Sequence, residues 1–136
     1  MMRKIDLIVI HCSATRADRS LTPDDLETQH RRRGFNGTGY HYYIRKDGTV
    51  HLTRPIERIG AHVKGFNLNS VGICYEGGLD GHGSPADTRT PEQRADLTVT
   101  GGLPTPVPNG RYTRCMCLCL RCCVTIPVAG CAVIAI

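Results

Sequence analysis

The last 39 residues of this 136-residue chain, 98–136, contain no histidine, no lysine and no acidic residue. All six histidines and all twelve acidic residues lie before position 98, whereas six of the eight cysteines follow it. Side chains suited to acid–base chemistry are therefore confined to 1–97. We interpret the chain as a globular segment over 1–97 and an atypical Cys/Pro-rich tail over 98–136.

The tail has no hydrophobic period from which we would predict a helix or strand. An out-of-frame translation or a truncated gene would produce such a composition, and a disordered segment is the other interpretation. Five cysteines between Cys115 and Cys123 give the tail a high thiol density. Because thiolates bind zinc and other soft metals, a thiol-rich metal-binding protein is one functional alternative. The competing interpretation of this cluster is an oxidation-prone segment without a site.

Long hydrophobic runs are also missing. The most apolar stretch, 124–136, has 13 residues and contains Pro127 and Gly130. A membrane-spanning helix needs about 20 apolar residues, so we expect no stable membrane insertion. No small-residue cleavage site follows the first apolar run, so we expect no signal peptide and synthesis in the cytoplasm, where Cys12 and Cys74 would be reduced thiols. Aromatic residues make up 5% of the chain and no dense basic stripe occurs, so nucleic acid is not an expected partner.

Local patterns over 1–97 predict alternating strands and helices, which is typical of an α/β protein. Thr22 and Thr90 each precede a proline and an acidic residue, a pattern that marks a helix start. The first helix is expected to end at Arg31-Arg32-Arg33 before Gly34, and the second to stop after about two turns. Four segments have the composition of strands, with an Asp47-Gly48 turn joining the second to the third: 6–10, 40–45, 49–52 and 70–75.

Four motifs in this order carry a family resemblance: VIHCSAT at 9–15, GYHYYIRKDGTV at 39–50, GAHVKGFN at 60–67 and NSVGIC at 69–74. Together they resemble the zinc-dependent N-acetylmuramoyl-L-alanine amidases, the family of T7-type phage lysozymes and peptidoglycan recognition proteins. The resemblance covers about 1–97. It implies an α/β fold with a mixed central β-sheet flanked by helices, and the C-terminal part of that domain is expected to be missing or replaced.

The resemblance also implies a function. Its members hydrolyse the amide between N-acetylmuramic acid and L-alanine in peptidoglycan, using water activated by a zinc ion that two histidines and one cysteine hold. Peptidoglycan is thus the expected partner and Zn²⁺ the expected cofactor. A bacteriolytic endolysin of phage or prophage origin fits this resemblance, and it would reach the cell wall after release from the cytoplasm.

Residue by residue, His11 matches the first zinc ligand, and a core or capping histidine is its alternative. Tyr40 matches a tyrosine beside the zinc-bound water, where a phenol can act in catalysis; packing in the sheet is its alternative. His62 matches a substrate-contacting histidine of the groove, or is an ordinary loop residue. Asn67 and Asn69 are candidates for the same groove, although asparagine is also typical of turns.

Other candidates are assigned to structure. We expect His41 to pack on the opposite side of its strand from Tyr40, and His30 and His82 to face solvent. Cys12 is expected to point away from His11 into the core.

The chain departs from the resemblance after 97. The family has its second histidine ligand and its cysteine ligand, in a Cys-Pro context, near the end of the domain, but no histidine follows His82 and no Cys-Pro occurs. Two of three zinc ligands therefore have no match. A peptidoglycan-binding module without catalysis is the resulting alternative to a hydrolase.

Overall fold

The structure, a computed structural model, describes residues 3–97 together with the backbone of 114–117. Its principal sheet has five strands in the order β4-β3-β5-β1-β7, in which only β4 runs antiparallel to its neighbour. A second sheet pairs β2 with β6. The strands are β1 Leu7–Cys12, β2 Thr15–Arg16, β3 Tyr42–Ile44, β4 Val50–Leu52, β5 Ser70–Tyr75, β6 Gly78–Leu79 and β7 Arg114–Cys117. The helices are α1 Pro23–Arg32, α2 Pro91–Leu97 and a 3₁₀ turn at Asn67–Asn69.

The two faces of the sheet follow from the alternation of side chains along β1. Ile8 and Ile10 join one buried cluster, which includes Leu97 of α2. Leu7 and Val9 point to the other face and pack against Val63. Because consecutive residues of a strand face opposite sides, His11 continues the Leu7–Val9 face. The mixed α/β sheet that the sequence predicts is confirmed, with α2 on one face and the loop carrying Val63 on the other.

Helix α1 packs on the same face as His11. Leu26 of α1 shares a buried cluster with Tyr43 and Cys74. The helix begins with a capping box between Thr22 and Asp25, and it ends at Arg32 with Gly34 following in a left-handed conformation of φ 88°. These predicted boundaries are confirmed.

The predicted hairpin turn and the predicted start of the second helix are also confirmed. Asp47-Gly48 lies in the turn that joins β3 to β4, and Thr90 and Gln93 form the reciprocal capping bonds that begin α2. Strand β3 is shorter than predicted and starts at Tyr42, so Tyr40 precedes it. Within the described part of the chain, no helix has the length and apolar character needed to cross a membrane.

The interpretation of the tail needs one correction. Residues Arg114–Cys117 form β7, which pairs in parallel with Leu7–Ile10 of β1. The prediction that the tail contains no strand is therefore wrong at these residues. Main-chain hydrogen bonds along an open sheet edge require no hydrophobic period, which explains why residue types do not predict β7. The rest of the predicted tail, 98–113 and 118–136, including Cys119, Cys122 and Cys123, lies outside the described residues.

The two cysteines of the globular segment differ. Cys74 is a buried free thiol, as predicted. Cys12 is disulfide-bonded, so the prediction of a reduced thiol at that position is wrong.

Candidate active-site groove

The site is built at the carboxyl end of β1, where the strand presents His11. In the sheet register His11 lies beside Cys74 of β5, which in turn lies beside Tyr43 of β3. His11 is buried, with 7% of its surface exposed. The imidazole therefore reaches the bottom of the site from the sheet itself, a rigid support for a functional side chain.

The His11 ring contacts His62 directly. His11 Nε2 lies 2.9 Å from His62 Nδ1, and the two rings meet edge to face with centroids 5.0 Å apart. The other ring nitrogen of His62, Nε2, lies 3.2 Å from the hydroxyl of buried Ser70. His62 thus bridges β1 and β5, although 51 residues separate it from His11.

Two glycines make the space that His62 occupies. A Cβ built on Gly72, in the middle of β5, would lie 2.6 Å from the His62 ring, and one on Gly60 would lie 2.5 Å from it. The loop after His62 is fixed by the side-chain oxygen of Asn67, which accepts from the backbone N–H groups of His62 and Val63 at 3.0 Å each. The surrounding backbone therefore fixes the position of the His62 ring. A glycine inside the 70–75 strand was the sequence signal for this close approach.

Tyr40 covers the two histidines. Its ring centroid lies 4.9 Å from that of His11 and 6.4 Å from that of His62. Burial raises the pKa of its phenol, and the neighbouring Cys74 raises it further. Tyr40 is therefore neutral near pH 7.

The imidazoles at the bottom of the site are neutral as well. Burial lowers the pKa of His11 to about 4. Burial also lowers the pKa of His62 to about 3, and the adjacent His11 adds to this effect. No carboxylate among the described residues is hydrogen-bonded to either ring, so nothing there compensates for desolvation of an imidazolium. The pair offers uncharged ring nitrogens near pH 7.

A groove of about 400 Å³ opens above these side chains. Two of its lining residues, Tyr40 and His62, connect it to the buried His11. Asn67 also lines it, whereas Asn69 donates from its side-chain amide to Asp6 at 2.6 Å and lies outside the lining. The lining residues come from the end of α1 and from the 61–67 loop as well as from Tyr40: His30, Arg33, Phe35, Tyr40, Ala61, His62, Val63, Lys64, Gly65 and Asn67.

The neighbouring histidines have structural partners. His41 is fully buried, as predicted: its Nδ1 accepts from Gly72 N–H at 3.0 Å and its Nε2 donates to the Arg58 carbonyl at 2.9 Å. The expectation that His30 faces solvent is wrong. His30 is 4% exposed, and its Nδ1 accepts from Gly39 N–H at 2.9 Å, which holds the chain entering Tyr40.

Sequence reasoning therefore missed several groove residues. His30 lies in the last turn of α1, two residues before the helix ends at Arg32, and the helix pattern does not predict its burial. The sequence pattern predicts Arg33 as part of a helix end and assigns no role to Phe35, although Arg33 stacks over the Phe35 ring at 5.2 Å. The aromatic at 35, directly after the helix stop, was the signal that this end of α1 packs against something.

Comparison with known proteins agrees with this geometry. The sequence profile of the family described as N-acetylmuramoyl-L-alanine amidase matches residues 1–100. The endolysin of Enterobacteria phage K11 is 42% identical over 88 residues, which cover 65% of this chain and 58% of that protein. The endolysin of Escherichia phage T7 is 38% identical over 92 residues, which cover 68% of this chain and 61% of that protein.

A solved structure gives the same result for the fold. The endolysin amidase LysCS from Clostridium intestinale URNW superposes with a TM-score of 0.58 at 35% identity, covering 70% of this chain and 57% of the other. The chain thus spans about three fifths of the length of the curated relatives it matches. From its motifs, its sheet and these matches together, we conclude that the chain belongs to the N-acetylmuramoyl-L-alanine amidase family.

Proposed function

We propose that the groove binds peptidoglycan at the amide between N-acetylmuramic acid and L-alanine, and that the family reaction directed at this bond is hydrolysis. The observation that carries the proposal is the convergence of His11, Tyr40 and His62 beneath one open groove. Three motifs far apart in sequence supply these side chains, and the loops that carry two of them also line the groove. A concave site with a few convergent polar groups is the usual form of a ligand site.

The binding role rests on the residues around the opening. Phe35 and Tyr40 offer ring faces for the apolar parts of a sugar and its lactyl ether. His62 has one nitrogen toward His11 and lies beside Asn67, so a ligand amide in the groove would meet polar groups at this point. The rigid backing of His62 by Gly60 and Gly72 favours a pre-formed site, which lowers the entropy cost of binding.

The cleavage role depends on zinc, which this family is expected to use. A catalytic zinc site needs three protein donors and one open position. The residues that the structure describes contain no group of three histidine, cysteine or acidic side chains suited to a metal. His11 Nε2 is engaged with His62 at hydrogen-bond distance, and Cys74 is a protonated thiol because burial raises its pKa. By themselves the described residues therefore do not form a catalytic zinc site, and binding is the role that we assign to them without donors from elsewhere in the chain.

The proposal separates into two measurable parts. Purified chain is expected to sediment with insoluble peptidoglycan. Cleavage of that wall, seen as new L-alanine amino termini, would require metal donors from residues outside those described, and the metal content of the purified protein reports on them directly. We expect binding without metal because all the lining residues that the structure describes lie within 30–67 and none of them depends on a metal for its position.

The deciding comparison uses His11→Ala against His82→Ala, a histidine in an exposed loop. If wild type cleaves wall, His11→Ala should abolish cleavage and lower metal content while His82→Ala changes neither. Equal cleavage by His11→Ala and wild type would refute the role of His11. Failure of wild type to sediment with peptidoglycan would refute the proposed function as a whole.

A further inference from the structure

Two cations lie on the lining of the groove with no acidic side chain among the lining residues. Arg33 follows the last turn of α1, and Lys64 belongs to the loop after His62. Both side chains are exposed to solvent. They reach the same groove from different elements, so the positive charge is a property of the opening rather than of one helix end.

Neither cation forms an ion pair with another residue of 3–97, although Arg31 two positions earlier pairs with Glu27 at 2.7 Å. The Arg33 guanidinium is placed over the Phe35 ring, 5.2 Å from its centroid, which restricts where its donors can point. Its charge reaches the groove floor. Burial is the larger cause that lowers the pKa of His30, and the charge of Arg33 is the second. The same charge opposes the rise in the pKa of Tyr40 that burial produces.

We propose that Arg33 and Lys64 form a carboxylate subsite that makes the groove prefer stem peptides with a free carboxylate close to the scissile amide. The inference rests on the proposed function, since it concerns the same groove. In the stem peptide the residue after L-alanine is a D-glutamate linked through its side chain, so its α-carboxyl group is either a free carboxylate or an amide. A guanidinium fork binds a carboxylate through two parallel hydrogen bonds, and a carboxamide cannot accept both.

The test uses two soluble muramyl dipeptides that differ only at this group, muramyl-L-alanyl-D-isoglutamate and muramyl-L-alanyl-D-isoglutamine. Calorimetric titration of the full chain should give about tenfold tighter binding of the acid, the range of one charge-assisted hydrogen-bonded pair. The double variant Arg33→Gln/Lys64→Gln should bind both ligands equally, at the affinity of wild type for the amide. Raising salt from 50 to 500 mM, an order-of-magnitude change in ionic strength, should reduce the wild-type preference.

Matched controls are Arg32→Gln, which removes the same charge one residue earlier, and Lys4→Gln, an exposed lysine outside the groove. Both should keep the tenfold preference. Equal binding of the two ligands by wild type would overturn the subsite and leave the proposed function standing. Persistence of the preference in the double variant, or its loss in the controls, would also overturn the subsite. Binding of neither ligand would overturn the proposed function itself.

Discussion

Two clusters of buried polar side chains lie on the same sheet, and they differ in charge: one keeps a charged carboxylate and the other contains only neutral groups. The first surrounds Glu76, just after β5, whose side chain is 1% exposed and accepts from Arg45 Nε at 2.8 Å, Leu21 N–H at 2.7 Å and Lys46 N–H at 3.0 Å. Burial alone would raise the pKa of Glu76, but these hydrogen bonds outweigh it and lower the pKa. The carboxylate therefore stays charged in the interior.

The second cluster is the groove floor of His11, His62 and Tyr40, and there the outcome is neutrality. No opposing charge compensates for burial, so the imidazoles lose their protons and the phenol keeps its own. The difference indicates what each cluster is for. A charge whose donors are all supplied by the protein is part of the architecture, whereas neutral groups that point at one another and at a groove still have bonding capacity for a ligand.

The largest expected effect comes from breaking the complete cluster. Glu76→Ala leaves Arg45 and two backbone N–H groups without their acceptor, so the free energy of unfolding should fall by about 4 kcal/mol. Urea denaturation at pH 7 measures this change. Glu57→Ala, which removes an exposed acid, should change stability by less than about 0.5 kcal/mol. Similar small losses in both variants would mean that the Glu76 network is not the structural element we describe.

Acid should act on the buried imidazoles, including His41 beside the second cluster, before it reaches Glu76. Burial lowers the pKa of His41, which packs beside His62, to about 4, from an ordinary value of 6.5. The unfolded chain therefore binds more protons than the folded one below pH 6.5, and stability is lost as pH falls toward 4. Between pH 7 and pH 5, His41 should account for about 2 kcal/mol of this loss.

The change in the free energy of unfolding with pH, rather than its value at one pH, is the measurement that checks this prediction. Urea unfolding at several pH values should show a shallower dependence for His41→Gln than for wild type, and an unchanged dependence for His82→Gln. An identical slope in His41→Gln would contradict the role assigned to buried imidazoles in this comparison.

The two clusters also differ in how far the sequence predicted them. The three motifs that contain His11, Tyr40 and His62 predicted one shared site, and in the structure the three rings lie close together. The sequence could not show that His62 would contact His11 so closely, because that contact depends on the room left by Gly60 and Gly72. Nor did the helix pattern predict that His30 turns inward, since a helical face is decided by what packs against it.

The Glu76 network was not predicted at all. Glu76 follows a strand and precedes two glycines, a setting typical of an exposed turn. Its burial results from the chain crossing back at Leu21, Arg45 and Gln93, which are non-local contacts with no local sequence signal. Similarly, β7 is recognised by its backbone pairing with β1, which no pattern of residue types predicts.

A smaller effect should follow from filling the slot behind His62. In Gly72→Ala the new methyl group would meet the His62 ring at 2.6 Å, and the ring must move off Ser70 and His11. We expect the free energy of unfolding to fall by about 2 kcal/mol, the cost of overpacking, together with weaker sedimentation with peptidoglycan. Gly81→Ala is the control because nothing lies within 4 Å of its added Cβ. Full binding by a folded Gly72→Ala protein would show that the placement of His62 does not matter to the groove.

The smallest expected effect lies at a partly exposed ion pair, outside both buried clusters. Hydrogen bonds from Arg89 lower the pKa of Asp87 to about 2, and Arg94 adds a second cation. Because the folded-state pKa is below the ordinary 3.8, the stabilisation is complete above pH 3.8 and disappears as pH falls toward 2. Solvent screens this partly exposed group, so Asp87→Asn should cost only about 1 kcal/mol at pH 7, and the difference from wild type should shrink below pH 3.8. Asp18→Asn breaks the more exposed pair with Arg16 and should cost less. A pH-independent difference for Asp87→Asn would mean that lost packing, and not the carboxylate charge, sets its contribution.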